Sequence, residues 1–211
     1  NNLNKLNKKM KKIILTAVAL LAFGFANAQE GEKSANGGFS KGDVFVSGAV
    51  VFSNTSEGDA KESNFEIAPQ IGYFLTENIA IGGKVGYESM KEDNAAGVEI
   101  KDMSGFTAGV FGRYYFTPAN QFSLFANLGV DYTNMQNNLG SSDYKENEFE
   151  AGLGLGLNYF VSSNFSLEAG VGVLKYTTND NGGDGADATN EFTFGGDWRV
   201  PAVSFGVNYK F

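Results

Sequence analysis

The charged residues of this sequence that could do chemistry stand in segments where polar and apolar residues alternate. Lys84, Arg113 and Glu168 are each flanked on both sides by glycine, tyrosine or an apolar residue. Alternation with a period of two places them on one face of a β-strand. An unpaired buried charge is costly, so the pattern predicts one cluster of Lys84, Arg113 and Glu168, with hydrogen bonds completed by Gln70 and Asn127. The alternative is separate charges in a hydrated interior.

A second set of charges on the same parity is acidic and has no matching bases: Glu66, Glu88, Asp131 and Glu150. Carboxylates gathered at a barrel mouth would favour cations. Simple hydration of these groups at the mouth is the interpretation that we prefer.

Two absences narrow the catalytic chemistry. The chain has no His and no Cys, so a Ser-His-Asp triad, a Cys nucleophile and thiolate or imidazole zinc sites all lack their central residue. We therefore assign no catalytic residue, no cofactor and no metal ligand, and we do not expect an enzyme.

The element that must position these charges is the β-strand. In "FSLEAGVGV", residues 165–173, Phe165, Leu167 and Ala169 share one parity, whereas Ser166 and Glu168 share the other. The same alternation recurs along the chain. It predicts eight strands, near residues 43–53, 63–75, 79–90, 104–116, 122–134, 147–160, 165–177 and 198–211.

The connections between these strands alternate in length. Three are short: "TEN", "TPANQ" and "VSSN". The others are long and polar, at residues 54–62, 91–103, 135–146 and 178–191. Short turns at one rim and long loops at the other are typical of an up-and-down transmembrane barrel.

Aromatic residues gather at both ends of the apolar parity, with aliphatic residues between them. Two such rings are expected to be the girdles of a membrane barrel, although any single aromatic would more simply be core. The members beside the short turns are Tyr73, Tyr114, Phe116, Phe122, Tyr159 and Phe165, and those toward the long loops are Tyr87, Phe106, Tyr132 and Phe149.

In this interpretation the polar parity faces the lumen and the apolar parity faces lipid. A soluble lipocalin-like barrel would reverse the assignment and hold a ligand inside. The alternating loop lengths and the two aromatic rings count against it. Lys175 falls on the lipid-facing parity close to the loops, where it would snorkel to the headgroups.

The first 28 residues form a leader. Lys11 and Lys12 precede an apolar run at 13–25 that ends before "ANA", residues 26–28. This is the pattern of a secretory signal peptide, with the start at Met10 and cleavage after Ala28. Residues 29–42 are then a short periplasmic segment and residues 43–211 the barrel. Without the five Lys of the leader, 11 basic residues face 24 acidic ones, a formal charge of −13, which disfavours nucleic acid as a partner.

The whole mature chain resembles the eight-stranded outer-membrane β-barrel family of the OmpA/OmpX type from Gram-negative bacteria. The residues that carry the resemblance most clearly are Phe205, Val207, Tyr209 and the terminal Phe211. The resemblance implies an all-β, antiparallel, up-and-down barrel in the cell outer membrane, in contact with outer-membrane lipid and lipopolysaccharide. It also implies that these four residues are the signal read by the barrel-assembly machinery. We expect no peptidoglycan-binding domain, because the chain ends at Phe211.

Two functions stay open at this point. One is a structural or adhesion-like role through the long loops, and the other is a narrow pore for small solutes or ions. Eight strands leave an interior just wide enough for side chains, which favours the first. A lipid-modifying barrel enzyme is disfavoured because known examples resemble one another in using a His with a Ser.

Overall fold

The computed structural model describes residues 37–139, 145–182, 185–195 and 203–211. The predicted leader and residues 29–36 lie outside this set. The strands are β1 (Val44–Glu57), β2 (Ala60–Phe74), β3 (Ile79–Asp93), β4 (Glu99–Tyr115), β5 (Phe122–Asn137), β6 (Lys145–Phe160), β7 (Phe165–Asn179), β8 (Thr189–Phe194) and β9 (Val203–Lys210). In the described part of the chain, no helix is long and apolar enough to cross a membrane.

The strands close into a barrel. β1 to β7 pair in sequence order, each antiparallel to the next. β8 pairs with residues 174–179 of β7, and β9 pairs with residues 165–171 of the same strand. β9 also pairs with β1, from Phe45 opposite Lys210 to Gly48 opposite Val207. The predicted eight-stranded antiparallel barrel is confirmed, with β8 and β9 sharing the eighth position.

The eighth position differs from its prediction. The last strand was expected at 198–211, but β9 begins at Val203, and residues 198–202 lie outside the described set. β8 was missed because its first residues were assigned to the loop at 178–191. Phe192 and Phe194, which share one parity, are the sequence feature that could have revealed it.

The strands also extend further than predicted at the long-loop end. β1 and β2 meet in a turn at Gly58 and Asp59, so the expected loop at 54–62 is mostly strand. β3 and β4 are likewise separated only by residues 94–98. Gly58 and Gly97 have φ values of 63° and 70°, which glycine adopts without strain in tight turns. Because about 9–11 residues cross a bilayer, strands of 14–17 residues project beyond it as polar hairpins.

The apolar parity lies on the outer surface. Leu128 and Val110 are 60% and 64% exposed, whereas Asn158 on the opposite parity is fully buried. With this parity, aliphatic side chains face lipid and polar side chains face the lumen. The lipid-facing prediction is confirmed, and the reversed, lipocalin-like assignment is wrong.

An irregularity in β7 reverses the parity of its upper part. The pairing with β6 shifts between Leu153 and Gly154, so that Gly154 faces Gly172 while Leu153 faces Leu174. One extra residue in a strand turns all later side chains to the other face. Lys175 therefore lies inside the barrel, and the prediction that it faces lipid is wrong.

Candidate functional site: the barrel lumen

The lumen at the short-turn end is filled by aromatic rings. Five of them are fully buried and contact one another: Phe39, Phe45, Phe74, Tyr115 and Phe160. This floor was missed by the sequence analysis. The available sequence feature was a set of three pairs of adjacent aromatics, Tyr73-Phe74, Tyr114-Tyr115 and Tyr159-Phe160. Neighbours on a strand point to opposite faces, so one member of each pair must face the lumen.

Glycines of the inner face make room for three of the inward rings. Phe45 lies opposite Gly72, Phe111 opposite Gly82, and Phe125 opposite Gly156. In each case a Cβ on the glycine would overlap the phenylalanine ring. These glycines therefore let aromatic side chains lie flat against the neighbouring strand inside a narrow barrel.

Polar side chains lie beside the floor. The Oδ1 atom of Asn158 accepts hydrogen bonds from Ser166 Oγ at 2.7 Å and from Asn208 Nδ2 at 3.0 Å. All three residues are buried and come from the last three positions of the barrel. Their hydrogen bonds join β6, β7 and β9 from the inside.

Above the floor, a buried ion pair crosses the lumen. Arg113 Nη1 donates to Glu168 Oε1 at 2.8 Å, and the two side chains are only 6% and 9% exposed. Arg113 Nε also donates to Asn127 Oδ1 at 3.1 Å. The guanidinium carbon lies 4.8 Å from the ring centre of Phe125 and 4.9 Å from that of Phe111. The structure thus brings together Arg113, Glu168 and Asn127, as the cluster hypothesis expected, and surrounds the cation with aromatic rings.

Lys84 does not join that pair. Its Nζ contacts Asp131 Oδ2 at 2.8 Å, so the predicted cluster is divided into two separate ion pairs. Gln70 lines the cavity near Lys84 without a hydrogen bond to Arg113 or Glu168. The expectation that the upper acids lack bases is wrong for Asp131 and also for Glu150, whose Oε2 lies 3.3 Å from Lys175 Nζ. The two errors have different causes. The Lys84–Asp131 contact depends on the register of β3, β4 and β5, and the Lys175–Glu150 contact depends on the parity change in β7; strand-by-strand alternation reveals neither.

Gly109 lets Asp131 reach Lys84. A Cβ at position 109 would overlap Asp131 Oδ1 and lie 2.8 Å from the carbonyl oxygen of Val130. Gly109→Ala is therefore expected to displace Asp131 and to lower the free energy of unfolding by about 1–3 kcal/mol. Urea unfolding in lipid vesicles measures this.

The matched control is Gly172→Ala, another lumen-facing position, where a Cβ would meet nothing within 4 Å. Its effect is expected to stay within about 0.5 kcal/mol. Equal losses for the two variants would show that a Cβ at position 109 is accommodated without displacing Asp131 or crowding the Val130 carbonyl oxygen.

The upper lumen holds a cavity of about 310 Å³, lined by residues that include Lys84, Asp131 and Glu150. Higher on the inner face, Glu66 lies directly opposite Glu88 on the neighbouring strand. Glu88 also interacts electrostatically with Glu148 and Glu150. The mouth is therefore acidic, and Glu66 and Glu88 form a like-charge pair that water must solvate.

The girdle aromatics lie largely where they were expected. Most are exposed on the outer face, with Phe106 68% and Phe122 48% exposed, whereas Tyr87 and Phe165 are half-buried. Within the proposed assembly signal, Phe205 and Phe211 are 73% and 69% exposed. The rings of Tyr209 and Phe211 contact edge to face at 5.0 Å.

On the far rim, Asp180 holds the turn that follows β7. Its carboxylate accepts hydrogen bonds from the backbone and side-chain N–H groups of Asn147 and from the backbone N–H of Gly182. These donors lower the pKa of Asp180 below its ordinary value. Asp180 thus has a structural role in linking the β5–β6 and β7–β8 hairpins.

Together these features define a class of protein. The antiparallel strands close on themselves through the β9–β1 ladder, an aliphatic belt covers the outside, and the charges at mid-lumen form the ion pairs Arg113–Glu168 and Lys84–Asp131. This is a transmembrane β-barrel.

Comparison with known proteins identifies the family. Residues 15–211 match the Outer membrane protein beta-barrel domain, and the chain belongs to this family. It is an outer-membrane β-barrel protein, as the resemblance predicted. The chain is 28% identical over 138 residues, 63% of its length, to Outer membrane porin F of Pseudomonas aeruginosa; the match covers 39% of that protein, so this chain spans about two fifths of the relative's length.

Solved structures show the same fold. Neisserial surface protein A (NspA) has 19% sequence identity and a TM-score of 0.50, over 81% of this chain and 100% of that one. OprG from Pseudomonas aeruginosa has 16% identity and a TM-score of 0.51, over 82% of this chain and 98% of that one.

Proposed function

We propose that this protein is a closed outer-membrane barrel with a structural and surface-interaction role, and that it has no enzymatic activity. The observation that carries the proposal is the obstruction of the lower lumen by the Arg113–Glu168 pair above the aromatic floor. A barrel closed in this way acts through its outer surface and its projecting hairpins, not through solute flow.

The hairpins supply the interaction surface. Their strands continue past the membrane-spanning length and carry exposed polar side chains, as in Glu57, Asp59 and Lys61 of the β1–β2 turn region. Rigid strands that carry exposed turns can present a binding surface without changing the barrel. The partners we propose are outer-membrane lipid, lipopolysaccharide and an extracellular partner, with no role for nucleic acid.

A narrow pore is the second candidate function. It is favoured by the 310 Å³ cavity in the upper lumen, which is lined by ionised side chains. Such a pore would need the Arg113–Glu168 pair to separate. The name of the relative, Outer membrane porin F, is a second reason to test for a pore, although this chain spans only about two fifths of that protein.

Conductance across planar bilayers discriminates between the two functions. The closed-barrel proposal expects no stable current steps above the bare-membrane background from the purified full chain. Regular, reproducible steps would overturn it and support the pore. The surface role is tested by expressing the full chain in non-adherent cells, beside a variant whose β1–β2 hairpin at 54–62 is shortened. Adherence that is equal with and without the protein would contradict the interaction role.

Assembly depends, in this proposal, on recognition of the C-terminal residues by the barrel-assembly machinery. Phe211 is 69% exposed, so its ring contributes little to barrel packing. Phe211→Ala keeps the backbone hydrogen bond from Phe211 N–H to the Val44 carbonyl oxygen. It is expected to reduce the heat-modifiable, folded band in cells several-fold, while refolding of the purified protein into detergent changes little. Phe122→Ala, an exposed girdle residue far from the C-terminus, is the control. Equal losses in cells and in detergent would mean that Phe211 acts through stability instead.

A further inference from the structure

The segment that precedes β1 enters the barrel. Phe39 is fully buried, and its ring lies 4.7 Å from Phe74, 4.8 Å from Phe160, 5.3 Å from Tyr115 and 5.5 Å from Phe45, measured between centroids. These four partners come from β2, β6, β4 and β1 and so surround Phe39. We call them the aromatic socket.

The backbone beside Phe39 is shaped for this close approach. A Cβ at Gly37 would overlap the Phe160 side chain and the carbonyl oxygen of Ser162, and a Cβ at Gly38 would overlap the backbone of Ala119. Two consecutive glycines therefore let the chain pass between the short turns at 117–121 and 161–164. The two glycines thus fit the narrow path that the segment takes into the barrel.

Polar contacts fasten the segment to the barrel rim. The backbone N–H of Phe39 donates to the carbonyl oxygen of Pro118 at 2.7 Å. Lys210, near the end of β9, donates from Nζ to the carbonyl oxygen of Gly38 and lies 3.5 Å from Asp43 Oδ2. The same ammonium lies 5.5 Å from the ring centre of Phe160. One lysine of the last strand thus joins the segment to the aromatic socket.

The barrel wall does not need this segment for closure. The β1–β9 ladder begins at Phe45 opposite Lys210, after residues 37–42 have ended. The segment therefore lies inside a barrel whose wall is already closed without it.

We propose that residues 37–42 are a periplasmic plug, in which Phe39 occupies the aromatic socket and closes the lower end of the lumen below the Arg113–Glu168 pair. Tyr115 contacts both closures, because its ring packs on Phe39 and its hydroxyl lies 3.4 Å from Glu168 Oε1. The plug concerns the periplasmic end and does not depend on the surface role proposed for the hairpins.

Cysteine labelling tests the plug, because the chain has no native Cys. Ser166 is fully buried next to the floor, and Ser166→Cys places a thiol there. A small cationic methanethiosulfonate is added to the full chain in lipid nanodiscs. Phe39→Ala is expected to speed labelling of this thiol by about tenfold or more, because burial of a phenylalanine side chain favours the closed state by at least that factor.

Two matched variants keep the result interpretable. Ser40→Ala, at an exposed residue of the same segment, should leave the rate unchanged, and Phe39→Leu should restore most of the protection because it keeps the apolar bulk. Thr177→Cys reports on a buried lumen position near the other rim, where the rate should not respond to Phe39→Ala.

Two outcomes would overturn the plug. One is an equal labelling rate at Ser166→Cys with and without Phe39. The other is a parallel increase at Thr177→Cys, which would show general loosening of the barrel. The heat-modifiable gel shift confirms, for each variant, that the labelled molecules are folded.

Discussion

Glu168→Ala is expected to lower the free energy of unfolding by about 3–5 kcal/mol, the largest single-residue effect that we predict for this chain. The substitution leaves the Arg113 guanidinium in the lumen with its partner removed, and that side chain is only 6% exposed. Arginine cannot release its proton to avoid the cost. Hydrogen bonding to Asn127 and the neighbouring rings of Phe111 and Phe125 remain, but neither supplies a counter-charge. Urea unfolding in lipid vesicles, with the folded fraction monitored by the heat-modifiable gel shift, measures the loss.

A second ion pair in the same lumen provides the control. Lys84 and Asp131 are 29% and 17% exposed, so water screens what remains when one of them is removed. Asp131→Ala is expected to cost about 1 kcal/mol or less. The double variant Arg113→Met with Glu168→Leu, which removes both buried charges and keeps apolar volume, should recover most of the lost stability.

The difference between these variants separates the effect of an isolated buried charge from that of lost packing. If Glu168→Ala and Asp131→Ala cost the same, burial of the first pair would not be the source of its effect. If the double variant were as unstable as Glu168→Ala, lost packing rather than an isolated charge would explain the loss.

Alternation along single strands carried most of the fold prediction. The parity of "FSLEAGVGV" places Leu167 outside and Glu168 inside, as the structure does. The same information placed Arg113 and Glu168 on the lumen-facing parity, and the cost of an unpaired buried charge suggested their contact. Local periodicity is enough to predict which residues face the lumen, because each side chain of a barrel strand points either inward or outward.

Features that depend on register or on contacts across the lumen were not predictable in this way. Lys175 was misplaced because one irregularity in β7 reverses the parity of every residue above it. Lys84 was assigned to Glu168, although Asp131, two strands away on β5, lies within its reach. Lys84 is level with Asp131 in the strand register, because Lys84 pairs with Gly109 of β4 and Gly109 pairs with Asp131. Alternation along one strand does not encode this register.

The aromatic floor was missed for a different reason. Inward rings such as Phe74 and Phe160 directly follow outward tyrosines in the sequence. They are apolar residues on the otherwise polar, lumen-facing parity, so alternation did not predict that they form a core. Several glycines of the inner face lie beneath inward rings, an arrangement that alternation along a strand does not reveal. Phe39 lies outside any predicted strand, so its place in the floor could come only from the folded structure.

The second large predicted effect on stability concerns the outward, lipid-facing side chains of the barrel wall. Leu128→Arg is expected to lower the free energy of unfolding in a bilayer by about 2–4 kcal/mol, because the side chain lies midway along the lipid-facing part of β5. Leu128 is 60% exposed, and at an equally exposed site of a soluble protein the same change would fall within about 0.5 kcal/mol. The comparison therefore tests which solvent faces this surface.

Asn134→Arg is the depth control on the same strand and the same parity. Asn134 lies beyond Tyr132 of the upper girdle, where an arginine reaches the headgroup region, and the expected cost falls to about 0–1 kcal/mol. Part of that cost is the lost hydrogen bond from Asn134 Nδ2 to Asn147 Oδ1 at 2.8 Å. Urea unfolding of both variants in vesicles of one lipid composition gives the depth profile. Equal costs at positions 128 and 134 would contradict a membrane centred between the two girdles, because an effect that ignores depth cannot arise from moving charge into hydrocarbon.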